Sequence, residues 1–222
     1  MRGATMPTLA IPGPRASVED NAERPARVTP GDLSVELTAA LGAAQRGDEA
    51  GFVALYREVQ PRLLRYATVL VGRDSAEDVT AEAWLQISRD LHRFTGDVDR
   101  FRGWAATIVH HRAMDTCRAN ARRPTAAPVP DDERDEPAGA CDTAASALDE
   151  LSTDLALTLI AALPREQAQA VLLRAVVGLD VRTAGEVLGK RAGAVRVNAH
   201  RGLKRLARQV RYNPEEGRWT LV

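Results

Sequence analysis

Residues 178–208 read GLDVRTAGEVLGKRAGAVRVNAHRGLKRLAR, and this stretch decides the fold of the C-terminal half. Asp180, a residue type that caps helices, stands before a short apolar segment, Val181–Leu188, and Gly189 follows where that helix would end. A second helix, rich in arginine, is predicted from about Ala192 to Val210. Two helices joined by a tight glycine-containing turn are typical of a helix-turn-helix, whose second helix enters the DNA major groove.

The second helix of this pair has the residue types that a DNA-reading helix needs. Arginine can bind a guanine edge through two hydrogen bonds, and the other cations can hold phosphates. A solvated basic helix at the C-terminus, favoured by the helix dipole, is the alternative interpretation of these residues taken alone. The polar side chains in question are Arg196, Asn198, His200, Arg201, Lys204, Arg205 and Arg208.

Helical periodicity continues upstream of the helix-turn-helix. Leu155, Leu159, Ile160 and Leu163 predict one helix, and Pro164 stands where a first-turn proline would open the next, over Arg165–Val177. In the N-terminal half, the spacing of apolar residues predicts three further helices and a weaker one over Asp32–Gln45. No segment has a convincing strand pattern, so the predicted fold class is all-α.

Punctuating residues mark where the three N-terminal helices begin, bend and end. Pro61 is expected to kink or split the helix that starts near Phe52, and Ser75 is expected to cap the next one. Residues 94–100 are predicted to form a loop. The third helix is predicted from Arg100 to Arg122, and Pro124 ends it.

The formal net charge is zero at pH 7, but the charges are segregated along the chain. Residues 100–123 hold six arginines against one acid, residues 131–154 hold nine acids against one base, and residues 182–211 hold nine bases against one acid. Two basic segments around an acidic one indicate two surfaces for anionic partners and a spacer. We therefore predict two small helical domains, at residues 47–123 and 149–211. They are joined by a flexible acidic linker (124–148) and flanked by a largely disordered extension (1–46) and a tail (212–222).

Composition excludes several classes of protein. No apolar run approaches the length that spans a bilayer, and the N-terminus lacks a secretory signal pattern, so a cytoplasmic protein without membrane insertion is expected. Two cysteines, Cys117 and Cys141, cannot form a disulfide framework, and the His110, His111 and Cys117 set lacks a fourth metal ligand. No phosphate loop, nucleophile elbow or carboxylate pair is present, so we predict a non-enzyme with no metal and no cofactor.

Three segments of the C-terminal half resemble region four of bacterial sigma-70-type factors, most of all the extracytoplasmic-function (ECF) class. They begin at Ala162, Gly178 and Gly193 and read ALPREQAQAVLL, GLDVRTAGEVLG and GAVRVNAHRGLKRL. The resemblance implies that this domain reads the −35 promoter element. It places Arg196, Val197, His200 and Arg201 near base edges and Lys204 and Arg205 on the DNA backbone.

The first domain resembles region two of the same family. The segment SAEDVTAEAWL from Ser75 is similar to the helix that docks on the β′ clamp helices of the RNA polymerase core, which implies Asp78, Glu82 and Gln86 as polymerase-binding residues. The segment FRGWAATIVHHRAMDTCR from Phe101 is similar to the family's −10-binding helix. It implies that the preceding loop holds an extruded base of the non-template strand. The −10 residues implied are Thr95, Asp97, His110, His111, Asp115, Arg118 and Arg122.

Both resemblances occur in the family's order over about residues 48–211, so the sequence predicts an ECF-type sigma factor. Such a protein binds core polymerase and promoter DNA, both as duplex and as non-template single strand, and promotes promoter melting. Many relatives are held by an anti-sigma factor, which is expected here as a further partner. The expected location is the cytoplasm, at the nucleoid when in holoenzyme. Two alternatives remain: a conventional helix-turn-helix regulator, or a sigma-like decoy that binds an anti-sigma factor.

Overall fold

The computed structural model describes residues 11–12, 30–122, 144–213 and 218–221. Within these residues eight α-helices form two domains, which confirms the predicted all-α class. The disordered tail predicted before residue 30 lies outside the described residues, apart from positions 11–12. The acidic linker also lies outside them from residue 123 to residue 143.

The first domain contains four helices: α1 (Pro30–Gln45), α2 (Glu49–Val71), α3 (Arg73–Asp90) and α4 (Val98–Arg122). A 3₁₀ turn, Leu91–Arg93, follows α3. The helices share one core, in which the largest fully buried side chains include Tyr66, Phe101 and Ile87. Each such side chain contributes about 1.5–3 kcal/mol of apolar burial, so packing in this core holds the helices together.

Three details of the predicted helix boundaries differ from the structure, one being that α4 begins at Val98, inside the predicted loop over residues 94–100. Helix α2 runs through Pro61 without being split, because Pro61 is exposed while Val59 and Leu63 on either side of it are buried in the same core. Ser75 does not cap α3, because the helix begins two residues earlier, at Arg73, directly after Gly72 with its φ of +86°. No side chain makes a capping hydrogen bond at that end.

The N-terminal extension contributes a helix to the first domain. The helix expected over Asp32–Gln45 is present as α1, and its residues Leu37 and Leu41 are buried against the rest of the domain. Gly51 permits this packing, because a Cβ at that position would lie 2.8 Å from the carbonyl oxygen of Ala40. The prediction that residues 1–46 are largely disordered is therefore wrong from Pro30 onwards.

The second domain contains α5 (Ala144–Ala161), α6 (Arg165–Val171), α7 (Val181–Leu188) and α8 (Ala192–Gln209). Helix α5 begins inside the segment that was predicted as linker. Helix α6 continues as a π-helical turn over Leu172–Val176, where the sequence predicted regular helix to Val177. The predicted cap of α7 is confirmed, because Asp180 accepts hydrogen bonds from the backbone N–H groups of Arg182 (2.7 Å) and Thr183 (3.1 Å).

A small antiparallel sheet follows α8, although the sequence predicted no strand. It consists of β1 (Ile11–Pro12), β2 (Val210–Asn213) and β3 (Arg218–Leu221), in the order β1–β3–β2. Val210 pairs with Leu221, so β2 and β3 join the predicted end of the second domain to the predicted tail. Strands of two and four residues are too short to give a clear alternation of apolar and polar residues.

Candidate nucleic-acid interface

Helix α8 has one buried face and one exposed face. Val195, Ala199 and Gly202 form the buried stripe at helical spacing. Gly202 allows α8 to lie close to α6, because a Cβ there would be 2.7 Å from Cγ2 of Val171. This packing fixes which side of α8 faces solvent.

The exposed face of α8 brings together all of the residues predicted to read the −35 element. Each of them is exposed, and Val197, the apolar member, is 46% exposed. Arg191, directly before α8, and Arg208 near its end are also exposed cations. The predicted set on this face is Arg196, Val197, His200, Arg201, Lys204 and Arg205.

The N-terminal end of α8 is tied to α6 by polar contacts around Glu166. Its carboxylate forms an ion pair with Lys190 and accepts a hydrogen bond from the side-chain amide of Asn198 (3.3 Å). The hydrogen bond and charge of Lys190 lower the pKa of Glu166, so this carboxylate stays ionised at neutral pH. Lys190 and Asn198 therefore contact the protein itself, whereas the predicted base-reading residues point to solvent.

The loop predicted to hold a −10 base lies between the 3₁₀ turn and α4. Thr95 and Asp97 are both exposed there. Asp97 also caps α4, because its Oδ1 accepts a hydrogen bond from the backbone N–H of Arg100 (2.8 Å). Phe94, at the start of the loop, stacks on Trp104 with ring centroids 5.2 Å apart. The loop is thus anchored to α4 at both of its ends.

A cleft of about 530 Å³ separates this loop from the second domain. Gly103 of α4 is buried at its floor, and a Cβ there would clash with the methyl group of Thr183 on α7. Helix α7 of the helix-turn-helix therefore packs against α4 beside the predicted −10 loop, whose residues Thr95 and Asp97 stay exposed. The lining residues are Phe94, Thr95, Asp97, Asp99, Arg100, Gly103, Trp104, Thr107, Asp180, Arg182, Thr183, Glu186 and Val187.

The two domains also meet away from the cleft. Arg73 at the start of α3 forms an ion pair with Asp154 of α5 (2.8 Å). Arg165 at the start of α6 donates a hydrogen bond to the sulfur of Met114 on α4 (2.6 Å). These contacts lie at separate points along the first domain, so the two domains pack against each other. This packing is called the closed arrangement below.

The predicted strand-path residues on α4 are not equivalent. His111, Asp115, Arg118 and Arg122 are exposed, and Asp115 pairs with Arg118 at 2.9 Å. His110, in contrast, is half-buried. The structure therefore brings four of the five α4 residues together on one accessible surface.

His110 is hydrogen-bonded to a buried tyrosine. Its Nδ1 lies 2.8 Å from the hydroxyl of Tyr66, whose own pKa is raised by burial. Burial, together with the smaller effects of the charges of His111 and Arg165, lowers the pKa of His110 to about 4. His110 is therefore neutral at pH 7 and does not act as a cation toward a DNA strand.

The predicted polymerase-binding row lies on the outer face of α3. Asp78 and Glu82 are exposed, and Gln86 is half-buried. Arg112 of α4, which the sequence did not single out, reaches Glu82 (3.5 Å) and donates a hydrogen bond to Gln86 (3.2 Å). Leu85, beside this row, is 57% exposed. It was not predicted as a site residue, and the apolar residue following Trp84 was the only signal in the sequence that could have identified it.

Two features are absent from the described residues, a metal site and a membrane-spanning helix. Within the described residues, no group of three or more histidine, cysteine or acidic side chains is arranged to hold a metal ion. Over the same residues, no helix is long and apolar enough to cross a membrane.

Comparison with known families assigns both domains. Residues 55–123 match the model of Sigma-70 region 2, and residues 153–206 match that of Sigma-70, region 4. The two matches occur in the order expected for a sigma-70-type protein. They define the class of protein that this fold and these surfaces belong to.

Curated relatives identify a smaller group within this class of protein. The chain is 33% identical over 184 residues to the ECF RNA polymerase sigma factor ShbA of Streptomyces griseus subsp. griseus, covering 79% of this chain and 95% of that protein. It is 30% identical over 168 residues to the ECF RNA polymerase sigma factor BldN of Streptomyces coelicolor, covering 74% of this chain and 62% of that one. The chain belongs to the ECF RNA polymerase sigma factors.

Solved structures share the fold at lower identity. CnrH in complex with the cytosolic domain of CnrY matches with a TM-score of 0.53 at 20% identity, covering 78% of this chain and 95% of that chain. The sigma factor RpoE in complex with the anti-sigma factor NepR from Bartonella quintana matches with a TM-score of 0.50 at 18% identity, covering 70% and 93%. These likenesses support the helical fold.

Proposed function

We propose that this chain binds the RNA polymerase core, recognises −35 and −10 promoter elements and promotes promoter melting. The observation that carries the proposal is that one chain holds both matched regions in order, with the cationic face of α8 fully exposed. The polymerase is the catalyst of the reaction, and this chain supplies recognition. Its place of action is the cytoplasm, at the nucleoid when it is part of the holoenzyme.

The −35 element is read by α8 in this proposal. Arg196 and Arg201 lie one and a half turns apart on the exposed face and can each form two hydrogen bonds to a guanine edge. Lys204 and Arg205 supply phosphate contacts farther along the helix. Val197, 46% exposed, is suited to a thymine methyl group in the same groove.

Polymerase binding is assigned to the outer face of α3. Asp78 and Glu82 present two carboxylates one turn apart, and exposed Leu85 lies on the same side of the helix. An acidic row beside an apolar side chain suits the β′ clamp helices if these present basic and apolar groups. Arg112 must release Glu82 for that contact, which costs little because exposed ion pairs contribute about 0–1 kcal/mol.

Recognition of the −10 strand is assigned to the Thr95–Asp97 loop and the exposed side of α4. Extrusion of a base costs a few kcal/mol, which contacts to the flipped base must offset. His111, Arg118 and Arg122 then follow the exposed strand. Because α7 packs against α4 beside this loop, the proposal expects the domains to separate when the strand binds.

An anti-sigma factor is proposed as a further partner. The structural neighbours CnrH and RpoE were solved with CnrY and NepR, and NepR is named an anti-sigma factor. Such a partner would compete with the polymerase or with DNA for this chain. A conventional helix-turn-helix regulator, the main alternative, would bind duplex DNA without the polymerase.

The experiment is run-off transcription with purified core polymerase and a promoter library, with and without this chain. The proposal expects new promoter-specific transcripts that are lost in Arg196→Ala or Arg201→Ala. A chain that shifts duplex DNA alone, yet neither binds core polymerase nor creates start sites, is a conventional regulator. A chain that does neither of these is a decoy, whose protein partner must then be sought.

A further inference from the structure

The backbone at the start of the predicted −10 loop has a contact in addition to the stacking of the Phe94 ring. The loop's C-terminal end is fixed by the Asp97 cap on α4, and the Phe94 ring is fixed by stacking on Trp104. A loop that must become ordered when it captures a base loses part of its binding free energy to that ordering. The backbone that leads into Thr95 therefore influences how well the loop holds a base.

Gln45, the last residue of α1, supplies that contact. Its side-chain Nε2 donates a hydrogen bond to the carbonyl oxygen of Phe94 (2.6 Å) and another to that of Leu91 (3.3 Å). A carboxamide NH₂ group has two donors, so one side chain can satisfy both carbonyls. The Phe94 carbonyl belongs to the peptide group that carries the N–H of Thr95. The contact therefore reaches the first residue of the loop.

The position of Gln45 is itself fixed by close packing of α1 on α2. Leu41 and Ala44, one turn and one residue before it, are buried. The backbones of the two helices touch at Gly51, where a Cβ would lie 2.9 Å from the backbone nitrogen of Ala44. The end of α1 is thus held by the core, and Gln45 transmits that position to the loop.

We propose that Gln45 is a positioning residue for −10 recognition. It holds the backbone of Leu91 and Phe94 and thereby sets the entry to the Thr95–Asp97 loop, without a contact to DNA being required of it. Helix α1 is then part of the promoter-reading apparatus as well as of the core. This inference rests on the function proposed above for that loop.

The test compares variants that differ in donor capacity at one position. Gln45→Glu is isosteric but has no N–H donor when ionised, and Gln45→Met keeps a similar volume without any donor. Promoter opening by holoenzyme is followed with 2-aminopurine in the −10 non-template strand, on a promoter found by the run-off screen. Both variants are expected to open it about tenfold more slowly than wild type, since two hydrogen bonds are lost. Core binding and −35 duplex binding are expected to stay within about twofold of wild type.

Two further variants provide controls. Gln45→Lys restores a multiple donor and is expected to recover most of the opening rate. Glu36→Gln changes an exposed residue of the same helix and is expected to leave the rate unchanged. Hydrogen exchange of the amides at residues 92–98 is expected to speed up in Gln45→Met and to return toward wild type in Gln45→Lys.

The outcomes separate this inference from the function on which it rests. If wild-type holoenzyme gives no promoter-specific transcript, the proposed function fails and the inference fails with it. If wild type is active and the donor-less variants open promoters at its rate, only the inference is overturned. It is also overturned if core binding, −35 binding and opening all fall together, because Gln45 would then only stabilise the domain.

Discussion

The two regions proposed to bind DNA differ in their surroundings within the protein. On α8 all six predicted −35 residues face solvent, and the helix is held from behind by a buried stripe at Val195, Ala199 and Gly202. The predicted −10 loop borders a cleft that is lined on its other side by α7, and one of its predicted partners on α4, His110, is half-buried and neutral. One proposed reading surface therefore faces solvent, whereas the other lies beside the interface between the two domains.

The largest expected effect tests whether the exposed surface reads DNA. Arg196→Ala with Arg201→Ala should lower affinity for the −35 duplex by about 100-fold or more, because each lost base contact costs about 1–3 kcal/mol. Fluorescence anisotropy with the holoenzyme measures this loss. Arg57→Ala, which removes an exposed cation on α2, should change the affinity only slightly. Equal losses of affinity in the α8 double variant and in Arg57→Ala would mean that α8 contributes positive charge but no base contacts.

A second prediction tests the support behind that surface. Gly202→Val should destabilise the second domain by about 2–3 kcal/mol, because the new side chain meets Val171 and the side chain of Gln167 in a packed interface. Urea unfolding followed by circular dichroism checks this value, and −35 binding should weaken in parallel. Gly193→Ala is the matched control on the same helix, since nothing lies within 4 Å of its Cβ. A stable Gly202→Val protein would show that α8 can shift away from α6.

A third prediction tests the interface between the domains beside the predicted −10 loop. Gly103→Ala should disfavour the closed arrangement by about 1–2 kcal/mol, because its Cβ meets atoms of Thr183 alone. Small-angle X-ray scattering should show a larger radius of gyration, and a −10 non-template oligonucleotide should bind more tightly. Adding Thr183→Ser removes the clashing methyl but keeps the hydroxyl that donates to Asp180, and should restore the compact form. Failure of this second change to restore compactness would mean that the Gly103–Thr183 contact does not hold the domains together.

The smallest expected effect concerns pH. The folded-state pKa of His110 is about 4, below the ordinary value of 6.5, so the unfolded chain takes up a proton that the folded chain does not. This difference in pKa contributes to the free energy of unfolding. The contribution is fully present above about pH 6.5 and is lost as the pH falls toward 4. Partial exposure of the ring limits it to about 1–2 kcal/mol. Unfolding free energies measured across this range should show a steeper fall in wild type than in His110→Gln; parallel curves would contradict the assignment.

Local signals predicted the helix-turn-helix well. Asp180 and Gly189 mark the two ends of α7, because both residues cap the helix beside which they stand. The buried stripe of α8 follows from the helical spacing of its apolar and small residues. The family resemblance assigned site residues to α3, α4 and α8, and their roles stay predictions. The sequence predicted a kink or a split at Pro61 from the proline alone, without regard to the burial of its neighbours. The packing of Val59 and Leu63 outweighs the backbone hydrogen bond that the proline removes.

Contacts between distant residues could not be predicted in the same way. The approach of Gly103 to Thr183 joins residues eighty positions apart, and nothing in either segment indicates the other. The neutral state of His110 depends on its burial in the folded chain and on the charges of His111 and of Arg165 in the other domain. Gln45 ends the weak helix predicted over Asp32–Gln45, and nothing in that segment indicates its hydrogen bonds to Leu91 and Phe94.

The placement of the tryptophans gives the chain an optical probe of its own closure. Trp104 lines the cleft beside Phe94, whereas Trp84 is buried within the first domain and donates a hydrogen bond to Gln60 (2.6 Å). Separation of the domains would bring water to the Trp104 indole and shift its emission to longer wavelength, while Trp84 would keep its surroundings. With Trp219 of β3 replaced by phenylalanine, opening could be followed in real time without an attached dye.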